Sequence, residues 1–152
     1  SNVFEYIDYC SLGLLDASYL MDIDFCSEKF EDLEEAYKII NKKYPNISAL
    51  YCTKRTVNSA NNNDLQGFLW KDNKMYVSTI NYISSIVDRV GGGDAFSAGV
   101  LHGILNNLNL DYTINFATLA SALKHTVYGD ANQFYVSEID TLIKTGNKEI
   151  LR

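Results

Sequence analysis

Apolar residues recur at spacings of three and four along residues 27–43, which is the period of one face of an α-helix. The apolar positions are Phe30, Leu33, Tyr37 and Ile40. Acidic residues crowd the first half of this segment and lysines lie at its end, the order that a helix dipole favours. The pattern therefore predicts a helix over residues 27–43, which Pro45 ends.

Shorter apolar runs on either side of this segment predict strands. The aromatic-rich opening, residues 3–25, has neither a helical nor an alternating period, and it is interpreted as a strand followed by an irregular connection. Residues 47–53 form a short buried strand, and a polar stretch follows over residues 54–64. Asp72 and Asn73 separate two further apolar runs and predict the turn of a β-hairpin. Residues 83–87 are interpreted as the extension of a strand toward three glycines.

The second half of the chain has the pattern of buried helices. Residues 95–108 and 113–126 carry apolar or small side chains on nearly every side. A last helix is predicted from Ser137, because Ser137 and Asp140 match the spacing of a capping box. Strands mixed with helices in this order predict a layered α/β fold, organised as a single domain over residues 1–152.

Composition narrows the classes of function. With 152 residues and 47% hydrophobic side chains the chain can bury a sizeable core, and its net charge of −6 argues against a nucleic-acid-binding surface. Cys10, Cys26 and Cys52 form no close pair, so buried thiols are expected rather than disulfides or a zinc site, and no metal ligands are assigned. No apolar run approaches the roughly 18 residues of a membrane span, and a cytoplasmic location is expected.

Three consecutive glycines, Gly91, Gly92 and Gly93, stand in front of the predicted helix 95–108. Unpaired N–H groups and the dipole at a helix start favour an anion there, and the missing Cβ atoms let a phosphate approach the backbone. The segment is neither a Walker loop nor a dinucleotide fingerprint, since Phe96 stands where the third spaced glycine belongs. The alternative is a left-handed loop in which Asp94 is an ordinary N-cap, and spacing alone leaves both open.

If an anion binds at the glycines, the negative charge of Asp94 beside it has to be explained. A carboxylate next to a phosphate is unfavourable unless it acts there, and it would act by accepting a proton from a hydroxyl that attacks the phosphorus. That combination indicates phosphorylation of an alcohol.

Three separated segments resemble one family. Residues 87–105, VDRVGGGDAFSAGVLHGIL, resemble the C-terminal signature of the ribokinase-like (PfkB) carbohydrate kinases. Together with ASALKHTVYGD at 120–130 they are most similar to the 2-keto-3-deoxygluconate kinases of that family. Residues 42–60 resemble the strand and nucleotide loop of the same group, and the resemblance weakens before about Ser27.

The resemblance implies roles for particular residues. Asp94 would be the catalytic base toward the sugar's primary hydroxyl, and the backbone amides of residues 91–94 would stabilise the transferring phosphoryl group. ATP would lie along Thr53, Lys54 and Arg55, with His125 near its adenine, although Lys54 replaces an apolar residue usual in the family. Asp130 would reach hydroxyls of a sugar acid, and Mg²⁺ would bridge the phosphates of ATP.

For two of these residues a plainer alternative stays open. His125 could be a histidine hydrogen-bonded at a helix end, and Asp130 follows Gly129 in a sequence typical of a turn. Asp88 lies at the family's acidic position ahead of the glycines, and no role is assigned to it.

The resemblance also implies that the chain is the C-terminal, nucleotide-binding half of a sugar kinase, without the N-terminal half and lid. The function expected is ATP-dependent phosphorylation of a sugar acid, 2-keto-3-deoxygluconate, to its 6-phosphate. Two alternatives are a non-catalytic fragment that folds and self-associates, and an unrelated small anion-binding module. A homo-oligomer is expected because half a sheet leaves apolar edge and face to be covered.

Overall fold

The computed structural model describes residues 3–22, 30–59 and 62–146. Over these residues the chain forms five strands and five α-helices after a 3-10 helix at Val3–Tyr6. The strands are β1 (Tyr9–Ser11), β2 (Ala49–Val57), β3 (Asn63–Lys71), β4 (Lys74–Val77) and β5 (Asn81–Ile83). The helices are α1 (Leu14–Met21), α2 (Phe30–Lys43), α3 (Gly92–Leu105), α4 (Leu110–Lys124) and α5 (Val136–Thr145).

The strands form one sheet in the order β1-β2-β3-β4, and β5 pairs with β3. β1 runs parallel to β2, with Tyr9 opposite Ala49, and the helices α1 and α2 supply the crossover that parallel neighbours need. β5 runs antiparallel to β3, with Asn63 opposite Ile83. The chain is thus an α/β protein, as its sequence predicts.

The chain divides into two compact units, Ser1–Cys52 with Phe68–Tyr76 and Thr53–Gly67 with Val77–Arg152. That the whole chain is a single domain stays a prediction.

In the first unit the predicted apolar face of α2 is buried. Leu33, Tyr37 and Ile40 are almost fully enclosed, and the Tyr37 hydroxyl donates to Leu12 O at 2.7 Å. The prediction for residues 27–43 is confirmed over Phe30–Lys43, while residues 27–29 lie outside the described residues. Cys52 is buried and Cys10 half-buried, as expected of thiols in a core, and burial raises the pKa of Cys52 to about 11. Cys26 lies outside the described residues.

The opening of the chain contains one element that its sequence does not reveal. β1 is the expected strand, but α1 follows where an irregular connection is predicted. Of its side chains only Ala17 is buried, so no apolar period marks the helix. The Asp16 carboxylate accepts a hydrogen bond from Gly13 N at 2.9 Å and ties down the start of α1.

The predicted hairpin is confirmed, whereas the neighbouring strands have different bounds from those predicted. Asp72 and Asn73 both have positive φ, 53° and 58°, which is the geometry of a two-residue type I′ turn between β3 and β4. β2 continues to Val57, through part of the polar stretch that follows the predicted strand, and its last four residues are exposed. The strand expected over residues 83–87 is wrong, since β5 ends at Ile83.

In the second unit α3 and α4 pack closely against each other. A Cβ added at Gly99 would lie 2.6 Å from Ala117 Cα, so small residues set the distance between the two helices. Phe116 and Leu123 of α4 pack in turn against Ile139 of α5. The prediction that both helices are buried is confirmed.

The helix ends depart from the predicted boundaries. α3 begins at Gly92, so two of the glycines belong to its first turn, and α4 begins at Leu110. The capping box predicted from Ser137 and Asp140 is wrong. α5 begins at Val136, and Glu138 accepts a hydrogen bond from Tyr135 N at 2.7 Å. Among the described helices none is long and apolar enough to cross a lipid bilayer.

Candidate active site

The glycine turn, residues 90–93, opens helix α3. Gly91 is the N-cap and has a φ of 79°, in the left-handed region that favours glycine. A Cβ at Gly91 would also collide with the backbone oxygen of Asp130. The left-handed loop is therefore present, but Asp94 is not its N-cap, because it is the third residue of the helix.

Gly92 and Gly93 differ in what surrounds them. A Cβ at Gly92 would lie 2.6 Å from His125 Cε1, and Ser121 Oγ donates to Gly92 O at 2.8 Å. A Cβ at Gly93 would meet nothing within 4 Å. Contacts within the protein thus account for glycine at positions 91 and 92, whereas Gly93 borders open space at the start of the helix.

The backbone at this turn presents unpaired donors. Ala95 N donates to Gly91 O at 2.9 Å and begins the helical pattern. Within the described residues, the N–H groups of Gly91, Gly93 and Asp94 have no acceptor. Unpaired N–H groups and the positive end of the helix dipole together suit an anion.

Asp94 lies in the first turn of α3 with its side chain exposed to solvent. In the part of the chain that the structure describes, its carboxylate accepts no hydrogen bond and forms no ion pair. The side chain is consequently free to contact a molecule bound over the glycine turn.

Asp88 connects the two segments that flank the glycine turn. Its Oδ1 accepts a hydrogen bond from Val90 N and its Oδ2 one from Gly129 N, both at 3.0 Å. The bond from Val90 N is the largest of the effects that lower the pKa of Asp88. A spacing of two residues to Val90 is typical of an Asx-turn and could have been found in the sequence, but the bond to Gly129 could not.

His125 lies beneath the glycine turn at the C-terminal end of α4. Its side chain is 5% exposed, and Nδ1 lies 2.7 Å from Ser121 O, to which it donates in the tautomer protonated there. Burial lowers the pKa of His125 most, and the charges of Arg55 and Lys124 lower it further. The plainer alternative, a hydrogen bond at a helix end, is present, and contact with a nucleotide stays a prediction.

The comparisons with known proteins address the family. The profile of the pfkB family carbohydrate kinases matches residues 24–135. This chain belongs to the PfkB family of carbohydrate kinases. An unrelated anion-binding module, the third alternative from the sequence, is therefore wrong. No curated protein matches the chain significantly.

Solved PfkB structures share the fold. A PfkB family carbohydrate kinase from Listeria grayi is 44% identical, with a TM-score of 0.85, over 93% of this chain and 42% of its own. The 2-dehydro-3-deoxygluconokinase of Thermotoga maritima is 28% identical, with a TM-score of 0.85 and the same coverage. A protein from Enterococcus faecalis described as a 2-keto-3-deoxygluconate kinase is 27% identical, also at 0.85, over 99% of this chain and 44% of its own. The chain spans less than half the length of these relatives.

The remaining residues predicted for this PfkB site lie on two segments of the second unit. Thr53, Lys54 and Arg55 belong to β2, where Thr53 is half-buried and the two basic side chains are exposed. The positive charge of Arg55 is one of the smaller causes that lower the pKa of His125. Asp130 is exposed after Gly129, whose φ is 84°, so the turn predicted as its alternative is also present.

The sequence gives no indication that one residue of this region, Lys124, is buried. Lys124 is 0% exposed, and its Nζ donates to Val127 O at 3.2 Å. A lysine at the end of a helix is ordinarily exposed, so the pattern of the chain gives no reason to expect it in the interior.

Proposed function

We propose that this chain carries the phosphoryl-transfer site of a sugar-acid kinase, which phosphorylates 2-keto-3-deoxygluconate to its 6-phosphate with ATP. The observation that carries the proposal is the exposed Asp94 carboxylate, placed without a partner among the described residues beside the unpaired N–H groups of Gly91 and Gly93. Two solved relatives of the same fold are described as kinases of this sugar acid.

Asp94 is proposed as the catalytic base. Its carboxylate accepts the proton of the sugar's primary hydroxyl while the hydroxyl oxygen bonds to the γ-phosphorus of ATP. The bond between that phosphorus and the oxygen of the leaving ADP breaks in the same displacement. N–H groups of residues 91, 93 and 94 donate to the transferring phosphoryl oxygens, where charge develops. These donors are fixed by the start of α3 before any substrate binds.

The nucleotide is proposed to lie along Thr53, Lys54 and Arg55 and to approach His125. The electrostatic effect of Arg55 on His125 supports this arrangement, and a guanidinium suits a phosphate by charge and geometry. Mg²⁺ held by ATP phosphates and water needs few protein ligands. Among the described residues no three His, Cys, Asp or Glu side chains are grouped to hold a metal ion. Mg²⁺ would neutralise charge on the phosphates.

Asp130 is proposed to bind hydroxyls of the sugar acid. Its backbone oxygen lies against Gly91, so its exposed side chain begins beside the glycine turn. A carboxylate accepts hydrogen bonds from hydroxyl groups and would orient the primary hydroxyl toward Asp94.

The test is an Asp94→Asn substitution with Asp111→Asn as matched control. Asp111 is likewise exposed in the first turn of a helix, α4. ATP-dependent phosphorylation of 2-keto-3-deoxygluconate is measured for the 152-residue chain and for a longer protein that contains it. Asp94→Asn should lower kcat by about 10²–10⁴-fold, the usual contribution of a general base, and Asp111→Asn should leave it unchanged. Normal turnover by Asp94→Asn would exclude Asp94 as the base.

A second candidate is a self-associating protein without activity of its own. It is favoured by exposed apolar side chains in the second unit, among them Val57 (60%), Tyr82 (67%) and Val90 (61%). Exposed apolar residues of this kind favour association. This candidate predicts dimers or larger species by light scattering together with no phosphorylation, and a monodisperse monomer would contradict it.

A further inference from the structure

Lys124 is a buried cation close to the glycine turn. It is the last residue of α4, its side chain has no exposure, and Nζ donates to Val127 O. An ammonium has three donors, and within the described residues Val127 O is the one hydrogen-bond acceptor it has. Removing a charged group from water is unfavourable unless other groups compensate it, so a neutral side chain of the same length would be the simpler choice for filling this space.

The carboxylate of Asp88 is a second charged group that binds near the end of α4. The bonds from Val90 N and Gly129 N lower the pKa of that carboxyl, and the positive charge of Lys124 lowers it further. Both residues act on the same segment, residues 126–130. Lys124 binds it at the carbonyl of Val127, and Asp88 binds it at the amide of Gly129.

The 126–130 segment in turn contacts the glycine turn. The backbone oxygen of Asp130 lies so close to Gly91 that no side chain fits there. Asp88 also accepts from Val90 N, the residue before Gly91. A shift of residues 126–130 would therefore disturb the left-handed conformation of Gly91, which starts α3 and orients its free N–H groups.

We propose that Lys124 is a positioning residue, whose buried ammonium binds Val127 O and, together with the separate bond between Gly129 N and Asp88, holds the 126–130 segment against the glycine turn. The statement that the turn binds a phosphoryl group rests on the function proposed above. The structural coupling between Lys124 and the turn does not depend on it.

The test compares Lys124→Met, which keeps the length and removes the charge, with Lys124→Arg, which keeps the charge. Lys144→Met, an exposed lysine in the last turn of α5, is the matched control. Without ligand, NMR measures the exchange of the Gly129 amide with solvent and the titration of the Asp88 carboxyl. Lys124→Met should speed that exchange about tenfold, the effect of weakening a hydrogen bond to a charged group, and should raise the pKa of Asp88. Lys124→Arg and Lys144→Met should change neither.

Chemical rescue distinguishes the effect of the Lys124 charge from the effect of the packing of its side chain. Lys124→Ala removes three methylenes and the ammonium, which n-propylammonium can replace, whereas n-propanol has nearly the same size and no charge. Protection of the Gly129 amide should return with n-propylammonium alone. Equal rescue by n-propanol, or wild-type Gly129 exchange and Asp88 titration in Lys124→Met, would overturn the proposal. If Lys124→Met does not fold, the two rescue arms decide the question.

Binding of a non-hydrolysable ATP analogue, measured by calorimetry, links the coupling to the site, since the analogue carries the γ-phosphoryl group assigned to the glycine turn. Lys124→Met should weaken binding of the analogue about tenfold, and Lys124→Arg should restore most of it. Unchanged affinity for the analogue in a Lys124→Met protein whose Gly129 amide is loosened would overturn the link to the phosphate site. Absence of analogue binding by the wild-type chain would count against the proposed function instead, and Gly129 exchange would still decide the role of Lys124.

Discussion

Gly92→Ala and Gly93→Ala add the same methyl group at adjacent positions of α3, and the structure predicts opposite results. At position 92 the new Cβ would lie 2.6 Å from His125 Cε1 and 3.2 Å from Nε2, whereas carbon atoms pack at about 3.5–4.0 Å. The ring would have to move by about 1 Å. It is held by the bond between its Nδ1 and Ser121 O, and Ser121 Oγ holds Gly92 itself.

Overpacking of this kind costs about 1–3 kcal/mol. At position 93 the methyl group meets no atom within 4 Å, and the preference of alanine over glycine is small at both positions because they lie in the first turn of α3. The free energies of unfolding of the two variants should therefore differ by about 1–3 kcal/mol, with Gly93→Ala the more stable.

The assay is thermal and urea unfolding followed by far-ultraviolet circular dichroism, which reports the helices. Gly92→Ala should lower the Tm by about 3–10 °C, and Gly93→Ala should leave it equal or higher. Gly93→Ala should nevertheless weaken binding of a non-hydrolysable ATP analogue, because its methyl group enters the open space assigned to the transferring phosphoryl group. A Gly92→Ala protein as stable as wild type would refute the reasoning from His125, and unchanged affinity for the analogue in Gly93→Ala would refute the assignment of that space.

Two further predictions concern the same region. Gly91→Ala should destabilise the fold by more than Gly92→Ala, since its φ of 79° costs an L-residue about 1–2 kcal/mol before the contact with the Asp130 backbone is counted, and urea unfolding checks the order. Burial lowers the pKa of His125 below its ordinary value of 6.5. The imidazole is therefore protonated more readily in the unfolded chain than in the folded one, and the free energy of unfolding should fall as the pH drops below about 6.5. Unfolding free energies at about pH 7.5 and pH 5.5 should therefore differ less in His125→Asn than in wild type. An undiminished difference in His125→Asn would show that His125 does not titrate in this way.

Elements with a regular pattern could be predicted from the sequence. Tyr37 and its apolar neighbours repeat with helical period, and Asp72-Asn73 is a local turn signal, so α2 and the hairpin follow from residues close together in the chain. α1 could not be found this way because it buries only Ala17. The sequence predicts that α3 begins at residue 95, after the glycines, because glycine is unfavourable in the interior of a helix. In the first turn, where the N–H groups are unpaired in any case, this unfavourable effect of glycine is small.

The sequence predicts which residues form the candidate site, but it does not predict how they are arranged in space. Asp94 and the glycines stand next to each other in the sequence, and the PfkB signature names them. The bond from Gly129 to Asp88 joins residues 41 positions apart in the chain, which no local pattern records. Lysine is also the residue least expected in an interior, so the burial of Lys124 could not have been inferred from its type.

The three glycines show how a sequence motif differs from the contacts that the structure adds. Sequence reasoning treats them as equal members of a phosphate-binding loop, yet each is glycine for its own reason. Gly91 needs a left-handed backbone against Asp130, Gly92 must leave room for His125, and only Gly93 borders space that the protein does not fill. Two of these reasons come from the end of α4 and the segment after it. The start of α3, where the anion site is proposed, is therefore shaped jointly by its own glycines and by residues 121–130, and the proposal expects a change at Lys124 or His125 to alter phosphate binding without a change in the glycine motif.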